Sequence, residues 1–107
     1  MSELFKFANT KTSQEHGHAS VDISAWLKTE TINTVSFSAR NRKTNTIDNS
    51  VLDTVKSVFS GVYLKPYIQK GVSGQQYRVY MHVDTHQESG GDFFIDFEVR
   101  DFLNHDK

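Results

Sequence analysis

The strongest constraint on the fold lies between Val62 and Phe102, VYLKPYIQKGVSGQQYRVYMHVDTHQESGGDFFIDFEVRDF, where three runs alternate apolar and polar residues. In the first, Val62, Leu64 and Ile68 share one parity. In the second, Tyr77, Val79, Met81 and Val83 do, with Arg78, Tyr80, His82 and Asp84 opposite. In the third, Phe93, Ile95, Phe97 and Val99 face one way, and Asp96, Glu98 and Arg100 the other. A period of two buries one face of an extended chain and leaves the other in water, the pattern of half-buried antiparallel strands. Two short glycine-bearing clusters, Gly71 to Gly74 and Gln87 to Gly91, separate the runs, so each folds back on the one before as a hairpin.

The rest of the chain is consistent with sheet. Glu3 to Ala8 reads as a short strand or an extended arm, with Leu4 on the opposite parity from Phe5 and Phe7. Asn9 to Ala19 is polar and reads as a loop or mobile lead-in. Residues 1–18 are therefore a polar N-terminal arm or a short first strand, and 19–107 the sandwich domain. Val21 and Ile23 alternate ahead of Trp26 and Leu27, and the lone Trp is expected to plug the core. Thr31 to Arg40, with Val35, Phe37 and Ala39 on one face, is a strand rich in β-branched residues, and Asn41 to Asn49 an exposed connection. Ser50 to Ser60 fits two readings. Val51, Leu52, Val55, Val58 and Phe59 lie on one helical face, which Gly61 would terminate, yet Val51, Val55 and Phe59 also share strand parity. Pro66 lacks an N–H for a ladder and pushes its run toward a sheet edge or a bulge.

Six or seven short strands with turn signals between them, and no βαβ spacing, predict an all-β antiparallel sandwich, with at most one short helix near 50–60. The expected core holds Trp26, Val35, Phe37, Leu64, Ile68, Tyr77, Val79, Val83, Ile95, Phe97 and Val99.

At 107 residues the chain has room for one core. Its 12 basic and 13 acidic residues leave a net charge of −1, which offers no field for nucleic acid or an anionic membrane. With no cysteine there is neither a disulfide nor a thiolate metal site to expect. No apolar stretch has the length of a membrane span, and the opening residues lack the pattern of a signal peptide.

Few residues point to chemistry. His82, Asp84 and His86 share a strand parity, and alternate strand residues can chelate a metal; His16 and His18 make a weaker pair. An outward polar strand face is the commoner meaning of both. Gly71 to Gly74 sits between strands and reads as a turn, not a phosphate loop. No Gly-x-Ser-x-Gly elbow occurs, and Asp92, Asp96, Glu98 and Asp101 have the spacing of outward strand residues without a cleft. No catalytic residue and no cofactor are expected. Tyr63, Tyr67, Tyr77 and Tyr80 beside Lys65, Lys70 and Arg78 fit a protein interface better than a nucleic-acid platform.

Several segments in order carry a family likeness: Val21-Asp22-Ile23-Ser24-Ala25-Trp26-Leu27 with Glu30-Thr31-Ile32, Leu64 to Gly71 with Gly74, Tyr77-Arg78-Val79, Val83-Asp84-Thr85, and Phe97-Glu98-Val99-Arg100-Asp101. From about Ala19 to Leu103 the chain resembles small fiber–tail adaptor or tail-associated proteins of tailed bacteriophages and prophages, which have an immunoglobulin-like sandwich. It departs from them in a longer second turn, Thr85 to Gly91, and in Lys70-Gly71 where a glycine pair is usual. The resemblance implies a non-enzymatic structural component that joins tail, baseplate or neck proteins to fibers. It further implies a ring-like homo-oligomer in the virion, made in the host cytoplasm. Its motifs are core and turn residues, which specify fold more than role. A ligand-binding sandwich, for carbohydrate or metal, is the alternative.

Overall fold

A computed structural model describes residues 10–101, and the expectation for Glu3 to Ala8 lies outside them. Along the chain come β1 (Thr10–Lys11), β2 (Gly17–His18), β3 (Val21–Asp22), the single-turn helix α1 (Ser24–Leu27), β4 (Ile32–Asn41) and β5 (Thr46–Ile47). A 3₁₀ turn at Asn49–Val51 precedes β6 (Val58–Ser60), β7 (Tyr63–Lys65), β8 (Tyr67–Ile68), β9 (Gln76–Thr85) and β10 (Gly90–Val99). They assemble into a five-stranded sheet, β1-β10-β9-β4-β5, a three-stranded sheet, β3-β7-β6, and a two-stranded sheet, β2-β8. The fold is an all-β sandwich with one apolar core.

The alternating runs set the larger sheet. Tyr77 pairs with Phe97, Val79 with Ile95 and Met81 with Phe93; on the other side of β9, Met81 pairs with Phe37 and Val83 with Val35. The inward rows through Val79 and Met81 are thus apolar across three strands, with Ala39 and Phe37 on β4, and a slip of one residue would turn every one of these side chains to water. The register between β4 and β9 shifts between Ile32 and Thr34, which leaves Asn33 as the extra residue of a bulge. Ile32 is therefore buried although its parity is opposite to that of Val35, Phe37 and Ala39.

From the facing layer, Ala19, Val21, Ile23, Leu27, Val51, Leu52, Leu64 and Ile68 fill the core. Leu64, Ile68, Tyr77, Val79, Val83, Ile95, Phe97 and Val99 are buried, whereas Val35, Phe37 and Trp26 are half-buried at the margin.

Five local expectations differ from the structure. The run from Val62 does not fold back on Tyr77 to Val83 as a hairpin: β7 pairs with β3 and β6, β8 with β2, and β9 with β4 and β10, so Gly71 to Gly74 carries the chain from one sheet to another. Of the two readings open for Ser50 to Ser60, the strand holds only at β6 (Val58–Ser60), and the helical one reaches no further than the 3₁₀ turn at Asn49–Val51. Val51 and Leu52 are buried, but Val55 is 88% exposed and Val58 and Phe59 lie on an edge strand. The Asp53 carboxylate accepts from the Val55 and Lys56 amides, which turns the chain before a second helical turn forms. Pro66 does not mark an edge: β7 is the middle strand of its sheet, and Pro66 falls in the break before β8, where no ladder needs its N–H. Asn9 to Ala19 contains β1 and β2 instead of a loop, and β1 lies parallel to β10, with Thr10 opposite Glu98 and Lys11 opposite Val99. The connection after Asn41 returns as β5 beside Arg40 and Asn41.

Lys11 explains how so polar a segment docks. It is 1% exposed, and its ammonium donates to the Thr12 carbonyl (2.6 Å) and to that of Lys70. Burial pushes its pKa down, partly offset by Glu15 and Asp101. A buried ammonium is tolerated here because carbonyl oxygens replace its water.

Candidate docking face

The polar parity of β9 and β10 forms the outer face of the five-stranded sheet, and the ladder sets its neighbours: Arg78 opposite Asp96, Tyr80 opposite Phe94, His82 opposite Asp92. Phe93 and Phe94 are consecutive on a strand, so when one enters the core the other must face water. Phe94 is 52% exposed and Tyr80 37% exposed, with ring centroids 6.4 Å apart. The Arg78 guanidinium lies 3.9 Å from the Phe94 centroid, a cation–π contact. It is fixed there by two hydrogen bonds to Asp96, Nε to Oδ1 at 2.7 Å and Nη2 to Oδ2 at 2.9 Å. Asp96 holds the Arg78 pKa above its already high ordinary value. Arg42 approaches the same carboxylate at 3.5 Å. The fork thus places the Arg78 guanidinium against Phe94, with Tyr80 beside it on the polar face.

At the other end of this face His82 sits between two carboxylates, with Nδ1 2.7 Å from Asp92 and Nε2 3.3 Å from Asp84. The hydrogen bond to Asp92 is the main reason its pKa is raised. His86 does not join them. β9 ends at Thr85, and His86 belongs to the turn, where its amide donates to the Thr31 carbonyl. Among the described residues no group of three or more His, Asp or Glu is placed to hold a metal. His16 and His18 flank Tyr67 instead of facing each other. His16 Nδ1 is 2.7 Å from the Tyr67 hydroxyl, and His18 donates from Nε2 to the Lys56 carbonyl at 2.8 Å. His16, not His18, borders a cleft of about 460 Å³ with Lys56, Tyr67, Gln69 and Lys70.

A second cleft, about 380 Å³ and mainly apolar, opens at the mouth of the sandwich between α1 and β10, with Asp22 and Asp92 at its rim. Trp26 lies here and not at the centre of the core, edge-on to Phe93 at 5.3 Å. Gly91 makes room for it: a Cβ there would come within 2.6 Å of the indole Cζ2. Of these features, the outward parity of Tyr80 was legible in the sequence, while Tyr77, grouped with it as an interface tyrosine, is buried and Phe94 was not singled out.

The fold and its surface define a class: a small β-sandwich bearing an ordered aromatic and charged sheet face, in form a binding module. The chain belongs to the family described as podophage GP4 fiber-tail adaptor protein gp77, whose model matches residues 11–96. It is thus a phage fiber–tail adaptor, a structural protein of the virion tail. Comparison with curated protein sequences and with solved structures gives no match.

Proposed function

We propose that this protein joins a tail, baseplate or neck protein to a fiber through protein–protein contacts alone, and that the outer face of β9 and β10 makes one of those contacts. The observation that carries this reading is the pair Tyr80 and Phe94, exposed side by side on a polar face, with Arg78, fixed by Asp96, stacked on Phe94. Aromatic residues and Arg, ringed by polar groups, are what protein interfaces use as their energetic centre. Copies of the chain act together as a ring-like homo-oligomer in the particle, where many modest contacts sum to a firm joint. The family membership supports the adaptor role, and the near-balanced charge of the chain fits a protein partner better than nucleic acid or membrane.

The test is to assemble particles with the double variant Tyr80→Ser/Phe94→Ser. Both side chains are exposed, so the domain should melt close to the wild type. Fiber attachment, or binding of the isolated partner, should fall at least about tenfold, the effect of losing a hot-spot residue. Normal attachment by a correctly folded variant would place the contact elsewhere. Gold-labelled antibody on wild-type particles should mark the neck, tail tip or fiber root; unlabelled particles would sink the virion assignment.

A further inference from the structure

The exposed charges of the described residues are sorted by end, and β10 sets the distance: from Gly90 to Val99 it spans roughly 30 Å. At the β9–β10 turn lie the exposed carboxylates of Asp84, Glu88 and Asp92, with Asp22 close to Asp92 at the mouth of the sandwich. Asp84 and Asp92 share the ring of His82, and Glu88 has no side-chain partner among the described residues, so this end keeps an excess of negative charge. At the far end lies the cleft of about 460 Å³. Ser13 on its wall binds Asp101, and Gly71, next to Lys70, packs against Val99. Lys56 and Lys70 line this cleft with Gln14, Gln69 and no carboxylate, although the chain holds 13 acids to 12 bases. Neither ammonium forms an ion pair among the described residues, and Lys56 lies over the Tyr67 ring, 4.8 Å from its centroid. The nearest acids are engaged by backbone: Asp101 takes the Ser13 amide, Asp53 those of Val55 and Lys56, and Glu15 that of Thr12.

We propose that the cleft of Lys56 and Lys70 receives the acidic β9–β10 turn of a second copy of this chain, so that copies join head to tail. Charge is the first argument: ammonium groups and carboxylates left unpaired within one copy meet between copies, which favours this orientation over others. Shape is the second. Thr85 to Ser89 project past the last ladder pair, Asp84 with Gly90, and His86, Gln87 and Glu88 are exposed on that projection, a convex partner for a concave site. Placement is the third. The two surfaces lie at opposite ends of β10, so each added copy leaves one cleft and one turn still open, and the contact propagates until a ring closes. A two-fold contact would set like charge against like, which is costly. The inference deepens the ring reading of the proposed function and rests on it, while the contact of Tyr80 and Phe94 with a fiber or tail protein is tested separately.

Sedimentation velocity of the full chain at low salt should show association that grows with concentration and weakens as salt screens the surface charges. A carbodiimide, which joins an amine to a carboxylate in contact, should couple Lys56 or Lys70 of one copy to Asp84 or Glu88 of another, read by mass spectrometry of mixed isotope-labelled and unlabelled copies. The variants Lys56→Glu/Lys70→Glu and Asp84→Lys/Glu88→Lys change exposed side chains, so both should melt close to the wild type. Each should associate at least about tenfold more weakly, and an equal mixture of the two should associate again, because each reversed end meets its reversed counterpart. A wild-type chain that stays monomeric at low salt, or reversed variants that associate as the wild type does, would overturn the proposal. Loss of tail- or fiber-protein binding by the lysine variant beside a monomeric wild type would also overturn it and give the cleft to that partner. Open filaments carrying the same cross-links would support the head-to-tail contact and overturn the ring. The Tyr80→Ser/Phe94→Ser variant should associate as the wild type does; loss of association there would put the contact between copies on the aromatic face and overturn the proposal.

Discussion

β4, β9 and β10 each run ten residues, whereas no strand of the facing layer exceeds three. The long strands hold themselves by ladder hydrogen bonds and rows of paired side chains. The facing layer is held by side chains that grip backbone. Ser57 donates to the Asp53 carbonyl at 2.8 Å and accepts from the Tyr67 amide at 2.9 Å, which ties the Asp53 turn to β8. Asp48 receives the Ser50 amide, and Asp22 receives the Ser24 amide, which holds the Asp22 carboxyl below its usual range. Both layers meet in one core, so the difference concerns how each is specified more than how deeply each is buried.

The largest test of that comparison sets Ile68→Ala in β8 against Met81→Ala in β9. Both residues are essentially buried, and each change should cost about 2–5 kcal/mol in urea unfolding. A single transition in both variants is expected; a facing layer that melts ahead of the long strands would break the comparison. Ser57→Ala comes next, at about 1 kcal/mol, because it removes the partner of a part-buried amide; a change within error would show that water replaces the hydroxyl. Arg78→Ala on the outer face should cost only about 0.2–1 kcal/mol, as for other partly exposed ion pairs, while its effect on partner binding is larger.

The smallest effect is pH-dependent. The folded-state pKa of His82 is raised above its ordinary 6.5, so the protonated ring favours the folded state. That stabilisation is complete below about 6.5 and disappears as pH rises through the folded value. An NMR titration of His82 should give a midpoint above 6.5, and Asp92→Asn should bring it down, since Asp92 is the principal cause. An unmoved midpoint would assign the shift to Asp84.

The same contrast explains what the residues disclosed in advance. Tyr77 to Val83 and Phe93 to Val99 spell their faces by parity, so sheet, hairpin and core followed from them. Two- and three-residue strands such as β2, β3 and β8 contain one alternation at most, and their pairing comes from tertiary contact instead. The apolar spacing of Ser50 to Ser60 suggested a helical face, but a single carboxylate at Asp53 redirects the chain. Parity also cannot foresee the bulge at Asn33, or that Gly91 leaves Trp26 a seat at the mouth. Of the docking face, the outward residues were readable, while the clasp of Arg78 and Asp96 around Phe94 depends on a register known only once the strands are paired.

The parallel pairing of β1 with β10 also bears on when the protein completes itself. Thr10 and Lys11 leave the ribosome early, but their neighbours Glu98 and Val99 are made almost ninety residues later. The hairpin of β9 and β10 forms from local contacts, whereas the β1 pairing closes a loop nearly as long as the domain, the slowest kind of contact to make. Lys11 therefore keeps its water until β10 has emerged, and the ammonium is stripped only as the last strand settles. In a cell that is filling with tail parts, the interval before that closure is when the chain is most open to a wrong neighbour.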